Sequence, residues 1–221
     1  MIAAARMRKL KVAPAIRTVD VGASISGTRH SVPITLAYSS QLVAPSVARV
    51  AYSAGAVVGN DISGFADPDY LPAAAGAGAT VVATHIRIGP RIPDPEPEYD
   101  DVVDTVRRFL ERCAAQGRAA GISADRIVLD AGLDLGKTPA QSLELLRASS
   151  VLAGLGYPLL LSASNKPFLG ATLGLDIDKR GDASLAAAAV GISLGCRIVR
   201  AHDVAATRRV CDALAAVLEA A

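Results

Sequence analysis

Six positions along the chain place a polar or charged side chain directly after a short apolar run. They are Asp20, Asn60 with Asp61, His85 with Arg87, Asp130, Ser164 with Lys166, and Arg200 with His202 and Asp203. An amide or carboxylate such as Asn60 or Asp130 binds the edge of a heterocycle that carries N–H donors. Lys166, Arg200 and His202 suit an anion, phosphate above all, because charged donors make the strongest hydrogen bonds to phosphate oxygens. Together they describe a ligand in which a polar heterocycle is joined to a phosphate ester. A single aspartate at the end of a strand more often caps the following helix. Such groups on six successive strand ends point to a site.

The elements that must position them alternate. Apolar runs at 31–39, 57–61, 80–86, 126–132, 157–164 and 197–204 read as strands, with 16–22 as a possible seventh. Between them lie helical patterns. The clearest, "YDDVVDTVRRFLERCAAQGRAAG", repeats Val102, Val106, Phe109, Leu110 and Cys113 at three- and four-residue intervals. In "TPAQSLELLRASSVLAGLG" Thr138 is the expected cap and Pro139 the first helical residue of one long helix. "SQLVAPSVARVAYSAGA" reads as a helix interrupted at Pro45, and "LSASNKPFLG" as a strand running into a glycine-terminated turn. Strands apolar on both faces and separated by helices indicate parallel βα units. That count favours a TIM-type (β/α)8 barrel, incomplete or modified at its N-terminal strands, with an open doubly wound sheet as the competitor. In a barrel the strands' C-terminal ends build the site.

Composition narrows the partners. The 221 residues are 51% hydrophobic and carry a net charge of +2, with no dense basic face to suit nucleic acid. Aromatics make up 4%, so stacking of bases finds little support. Cys113, Cys196 and Cys211 lack metal-ligand spacing and read as reduced core thiols of a cytoplasmic protein. Arg6, Arg8, Lys9 and Lys11 break any signal-like apolar run, and no segment reaches the ~20 apolar residues of a membrane span. The small-residue stretch 184–196 reads as a buried helix.

"GNDISGFADP", "ATHIRIGP", "IVLDAGLDLGKTPAQSLELLR", "GYPLLLSASNKPFLG" and "RIVRAHDV" occur in this order and resemble the successive motifs of the dihydropteroate synthase family. The resemblance implies a single barrel domain over 1–221, with 1–30 an irregular part in place of the usual first strand and loop. It implies condensation of dihydropterin pyrophosphate with p-aminobenzoate in folate synthesis, Mg²⁺ as cofactor with ligands unassigned, and a homodimer. Asn60 and Asp130 resemble the family's pterin-binding asparagine and aspartate. Ser164 and Lys166 resemble the serine and lysine of its Ser-Arg-Lys triplet, and Arg200 with His202 its pyrophosphate-binding Arg-x-His pair. Asp20, Thr28 and Arg29 in "DVGASISGTRHS" resemble what remains of a substrate-binding second motif.

The departures are specific. The family's Asn-x-Thr-Pro-Asp-Ser-Phe motif has no counterpart, the strand "ITLAYSS" ends without a carboxylate, Asn165, a polar strand-end residue expected with Ser164 to bind substrate, stands at the triplet arginine, and Leu135 replaces the phenylalanine of Gly-Phe-Gly-Lys. Condensation at a reduced rate is the expectation. The alternative is a catalytically silent homologue that binds a pterin or phosphate or serves as a subunit partner. Replacing Arg200 by Ala should weaken pyrophosphate binding by about 1.5–3 kcal/mol, the range for a charged hydrogen bond. Calorimetric titration checks this, and unchanged affinity would remove Arg200 from the anion site.

Overall fold

The computed structural model describes residues 36–37 and 45–219. Its six strands are β1 (Leu36–Ala37), β2 (Val58–Asp61), β3 (Thr80–Thr84), β4 (Ile127–Asp130), β5 (Leu159–Leu161) and β6 (Ile198–Val199). All neighbours pair in parallel, and the order across the sheet is the order along the chain. A doubly wound sheet reverses its strand order at a switch point. No reversal occurs among the described strands, so the open-sheet alternative is overturned. The described strands wind in one direction as part of a TIM-type barrel. Asp20, Thr28, Arg29 and the possible strand at 16–22 lie outside the described residues.

Eight helices are described: α1 (Pro45–Ser53), α2 (Tyr70–Gly76), α3 (Val102–Ala119), α4 (Pro139–Arg147), α5 (Ser149–Ala153), α6 (Pro167–Leu173), α7 (Gly181–Ser193) and α8 (Val204–Glu219). Side chains alternate across a strand. Val81 and Ala83 of β3, Ile127 and Leu129 of β4, and Leu159 and Leu161 of β5 face the helices and pack with Val106, Leu110 and Leu145 in the core. The opposite face carries Asn60, Val82, Thr84, Val128, Asp130 and Leu160, because Asn60 pairs with Val82, Thr84 with Asp130, and Asp130 with Leu160. Polar side chains reach that face only where strands end.

Five local expectations are corrected. Pro45 begins α1 instead of interrupting a helix; a proline costs nothing at a first helical position, where its missing N–H would have had no intrahelical partner. The long helix expected from Thr138 breaks at Ala148 into α4 and α5. Its start is as expected: Thr138 and Gln141 form a reciprocal capping box, with Pro139 first in the helix. The residues after Lys166 form α6, which Gly174 ends at φ 65°, rather than a turn at Gly170. β6 stops at Val199, so strand alternation does not place His202. Helix α7 buries Ala187, Ala188, Gly191 and Ile192 but leaves Val190 44% exposed, so only one of its sides is covered.

Gly59 brings β2 under α1 and α2. A methyl group there would collide with the hydroxyls of Tyr52 and Tyr70, which meet over it at 3.4 Å. Tyr70 is fully buried and cannot swing aside. Gly59→Ala should therefore cost about 1–3 kcal/mol, the usual penalty of overpacking. Chemical denaturation measures it, and adding Tyr52→Phe with Tyr70→Phe should recover part of the loss.

Candidate functional site

Three apolar residues, Ile127 to Leu129, carry Asp130 to the end of β4, where it is only 5% exposed. Its carboxylate accepts from the Gly132 N–H at 2.8 Å. Gly132 can turn back this way because its φ is 64°, and any side chain there would strike the His85 carbonyl. Burial raises the Asp130 pKa above the usual carboxylate value. The Gly132 hydrogen bond and the charges of Lys166, Lys137 and Arg200 act the other way. Those cations come from three elements: the loop after β4, the end of β5 and the residue after β6. Arg200 is held at its place by its N–H, which donates to Leu161 O at 2.9 Å and continues the β5 pairing.

Thr84 stands opposite Asp130 in the register and donates to Asn60 Oδ1 at 3.2 Å. This bond fixes the Asn60 amide on the same face as Asp130. Asp61 points the other way. Its carboxylate accepts from Ser63 N at 2.7 Å, Ser63 Oγ at 2.6 Å and Phe65 N at 3.0 Å, folding the turn after β2. His85 is 2% exposed, with its edge against Phe109 at 4.8 Å. Arg87 pairs with Asp94 at 2.8 Å.

At the end of β5 the hydroxyl of Ser164 accepts from His202 N at 3.1 Å and lies 2.9 Å from His202 Nδ1. The Ser164 hydroxyl thus ties the His202 ring and backbone to the end of β5. Lys166 donates to Leu133 O at 2.7 Å. Asn165 has φ 56°, a conformation asparagine tolerates better than most residues. Its N–H donates to Ser184 Oγ at 2.9 Å, and its Oδ1 lies 3.3 Å from that hydroxyl, in the first turn of α7. The fold thus brings Asp130, Lys166 and Arg200 into electrostatic reach, joins Ser164 to His202, and ties Asn165 to α7.

Sequence reasoning missed Thr84, Asp134 and Lys137. Asp134 accepts from Phe168 N at 3.4 Å, at the start of α6. Lys137 is 6% exposed, and its Nζ meets His85 Nδ1 at 2.9 Å, Gly132 O at 2.9 Å and Leu135 O at 3.0 Å. Gly132 and Gly136, both with positive φ, were the available signal for a loop that folds back on itself. Cys113 and Cys196 are buried free thiols, and burial pushes them up to about 12 and about 11. Among the described residues no helix is long and apolar enough to cross a membrane. Nor, among them, does any group of three His, Cys, Asp or Glu side chains converge as a metal cage would require.

Residues 17–202 match the pattern of the pterin binding enzyme family. A Mycobacterium leprae protein named inactive dihydropteroate synthase 2 is 39% identical over 77% of this chain and 60% of its own length. The crystal structure of dihydropteroate synthase from Stenotrophomonas maltophilia is 38% identical, with a TM-score of 0.77 over 80% of this chain and 67% of that one. A Xanthomonas albilineans dihydropteroate synthase in complex with 7,8-dihydropteroate is 34% identical, with a TM-score of 0.73 over 80% and 64% of the two chains. The chain spans about 60% of the length of several curated relatives it matches.

Burial, and then the Lys137 charge, hold His85 at about 3, well below its ordinary value. Between an unfolded value of about 6.5 and this folded one, the unfolded chain binds a proton that the folded chain refuses. Stability is therefore lost as pH falls through that window, by at most about 1.4 kcal/mol per pH unit. The raised carboxyls of Asp61 and Asp130 act in the opposite sense, so the comparison must be with His85→Gln. Denaturation curves between pH 6.5 and 4 should show wild type losing stability faster than the variant. Parallel losses would mean that His85 is not held neutral.

Proposed function

The chain belongs to the family of pterin-binding enzymes, and we propose that it is a dihydropteroate synthase-like transferase acting on dihydropterin pyrophosphate and p-aminobenzoate at a reduced rate. One observation carries this reading: the buried Asp130 carboxylate shares a face with Asn60 and lies within the electrostatic reach of Lys166 and Arg200. An acceptor for ring N–H groups beside cations for phosphate matches the two halves of such a substrate.

Asp130 and Asn60 take the amino and ring N–H edge of the pterin, with Lys166 on its carbonyl side. Arg200 and His202 hold the pyrophosphate. Ser164, 2.9 Å from His202 Nδ1, orients the ring so that Nε2 is the nitrogen offered to phosphate. The C–O bond between the pterin methylene and pyrophosphate breaks, and positive charge spreads into the ring beside Asp130. The aniline nitrogen of p-aminobenzoate then attacks the methylene and loses its proton to the departed pyrophosphate. No protein nucleophile takes part; position and fixed charge supply the rate. Asp20, Thr28 and Arg29 belong to the substrate-binding set of this proposal, as do a homodimer and a cytoplasmic setting. Mg²⁺ would complete it by supplying positive charge to the departing pyrophosphate. The described residues supply no cage for it, and no step above runs through it.

A second reading, a homologue that binds the pterin but does not condense it, draws support from Asn165. It puts a neutral amide at the triplet-arginine position of the resemblance, with its Oδ1 beside the Ser184 hydroxyl. The name of the M. leprae relative agrees with it. A matched binding and turnover assay separates the two. Pterin pyrophosphate should bind, with condensation about 10²–10³-fold below that of a complete family member, the cost of one lost electrostatic contact. Binding with no product at all would establish the second reading, and absence of binding would refute both.

A further inference from the structure

We propose that Lys137, outside the substrate-contacting set, is a positioning residue that holds the Asp130 carboxylate ionised and in place; the functional half of this inference rests on the reading of Asp130 as the pterin acceptor. The geometry points to a clamp. Lys137 Nζ has three neighbours within hydrogen-bond reach, namely Gly132 O, Leu135 O and His85 Nδ1, at 2.9, 3.0 and 2.9 Å. An ammonium has three protons to give. All three have an acceptor when the His85 ring is neutral with its own proton on Nε2. The same Gly132 peptide whose carbonyl Lys137 holds donates its N–H to Asp130 Oδ1 at 2.8 Å. Gly132 is therefore pinned from both ends, by the ammonium on one side and by the carboxylate on the other.

The clamp also places a buried charge behind the site. Burial draws the Lys137 amine down to about 7, so its charge grows as pH falls below neutrality. Lys166 and Arg200 face Asp130 from the β5 and β6 sides, while Asp130, Asp134, Lys166 and His85 surround Lys137. His85 stays neutral through this range because burial and Lys137 hold it at about 3. It therefore remains an acceptor rather than a competing cation. Lys166 and Arg200 are assigned to the substrate. Lys137 is 6% exposed and committed to the loop, so its charge serves Asp130 whether or not substrate is bound.

The test uses carboxyl-¹³C NMR of the ligand-free full chain, with the Asp130 signal assigned by Asp130→Asn. In both Lys137→Met and Lys137→Gln the Asp130 midpoint should rise by about one pH unit, the lower end of the effect of a close opposite charge. An unmoved midpoint in both variants overturns the proposal. Binding of dihydropterin pyrophosphate supplies the functional readout. Lys137→Gln should begin to lose affinity at a higher pH than wild type as pH is lowered, whereas a merely structural role would weaken binding equally at every pH and would also overturn it. If wild type binds no pterin, the reading of the site fails, but the NMR midpoint still decides whether Lys137 controls Asp130. Should both variants fail to fold, Asp130 Cγ and Lys137 Cε followed together in wild type must show a shared inflection near pH 7. Independent titrations there would sink the inference.

Discussion

The parallel register between β3 and β4 is the constraint on which the rest depends. Because Thr84 is paired with Asp130, and Asn60 with Val82, alternation leaves Asn60, Thr84 and Asp130 on a single face. A slip of one residue would send Asp130 among Val106, Leu110 and Leu145, and Leu129 into the mouth. The core forbids this, since burying an unpaired carboxylate there costs far more than the slip could return. The helix-facing Ile127 and Leu129 therefore fix the site as firmly as the polar residues themselves.

A second constraint follows from the depth of Asp130. A carboxylate 5% exposed needs partners, and the chain supplies them from its own backbone and from three cations on different elements. The loop after β4 does most of this. Two positive-φ glycines fold it back so that Lys137, seven residues on in the sequence, reaches the peptide that holds Asp130. The Tyr99 hydroxyl donates to Gly136 O at 2.7 Å and the Gln141 amide to Pro97 O at 3.1 Å, lashing this loop and the start of α4 to the proline-rich segment after β3. Rigidity around Asp130 is thus built by residues that need touch no ligand.

Much of this was legible in the sequence, and the reason is periodicity. Apolar runs such as "IVLD" and "YPLLL" announced buried parallel strands, and the Val102–Val106–Leu110–Cys113 spacing announced the face that α3 buries. The Thr138–Pro139–Gln141 start of α4 was equally readable, since capping is a local interaction. The errors lay where structure depends on distant partners. Helix α6 is seven residues long, and its N-terminal amide at Phe168 is met by Asp134, a residue more than thirty positions earlier. Lys137 went unassigned because its three acceptors come from two different loops. Asn165 was legible as a polar strand-end residue, but its direction, toward Ser184, is set by a backbone twist to φ 56° that no pattern encodes.

One face at the C-terminal ends of these strands is proposed to receive a pterin pyrophosphate. A crystal structure of the chain grown with dihydropterin pyrophosphate measures it most directly. The account predicts the N–H edge of the pterin within hydrogen-bond distance of Asp130, with the phosphates against Arg200 and His202. A pterin bound elsewhere, or bound here with its phosphates turned away from those two residues, would contradict it.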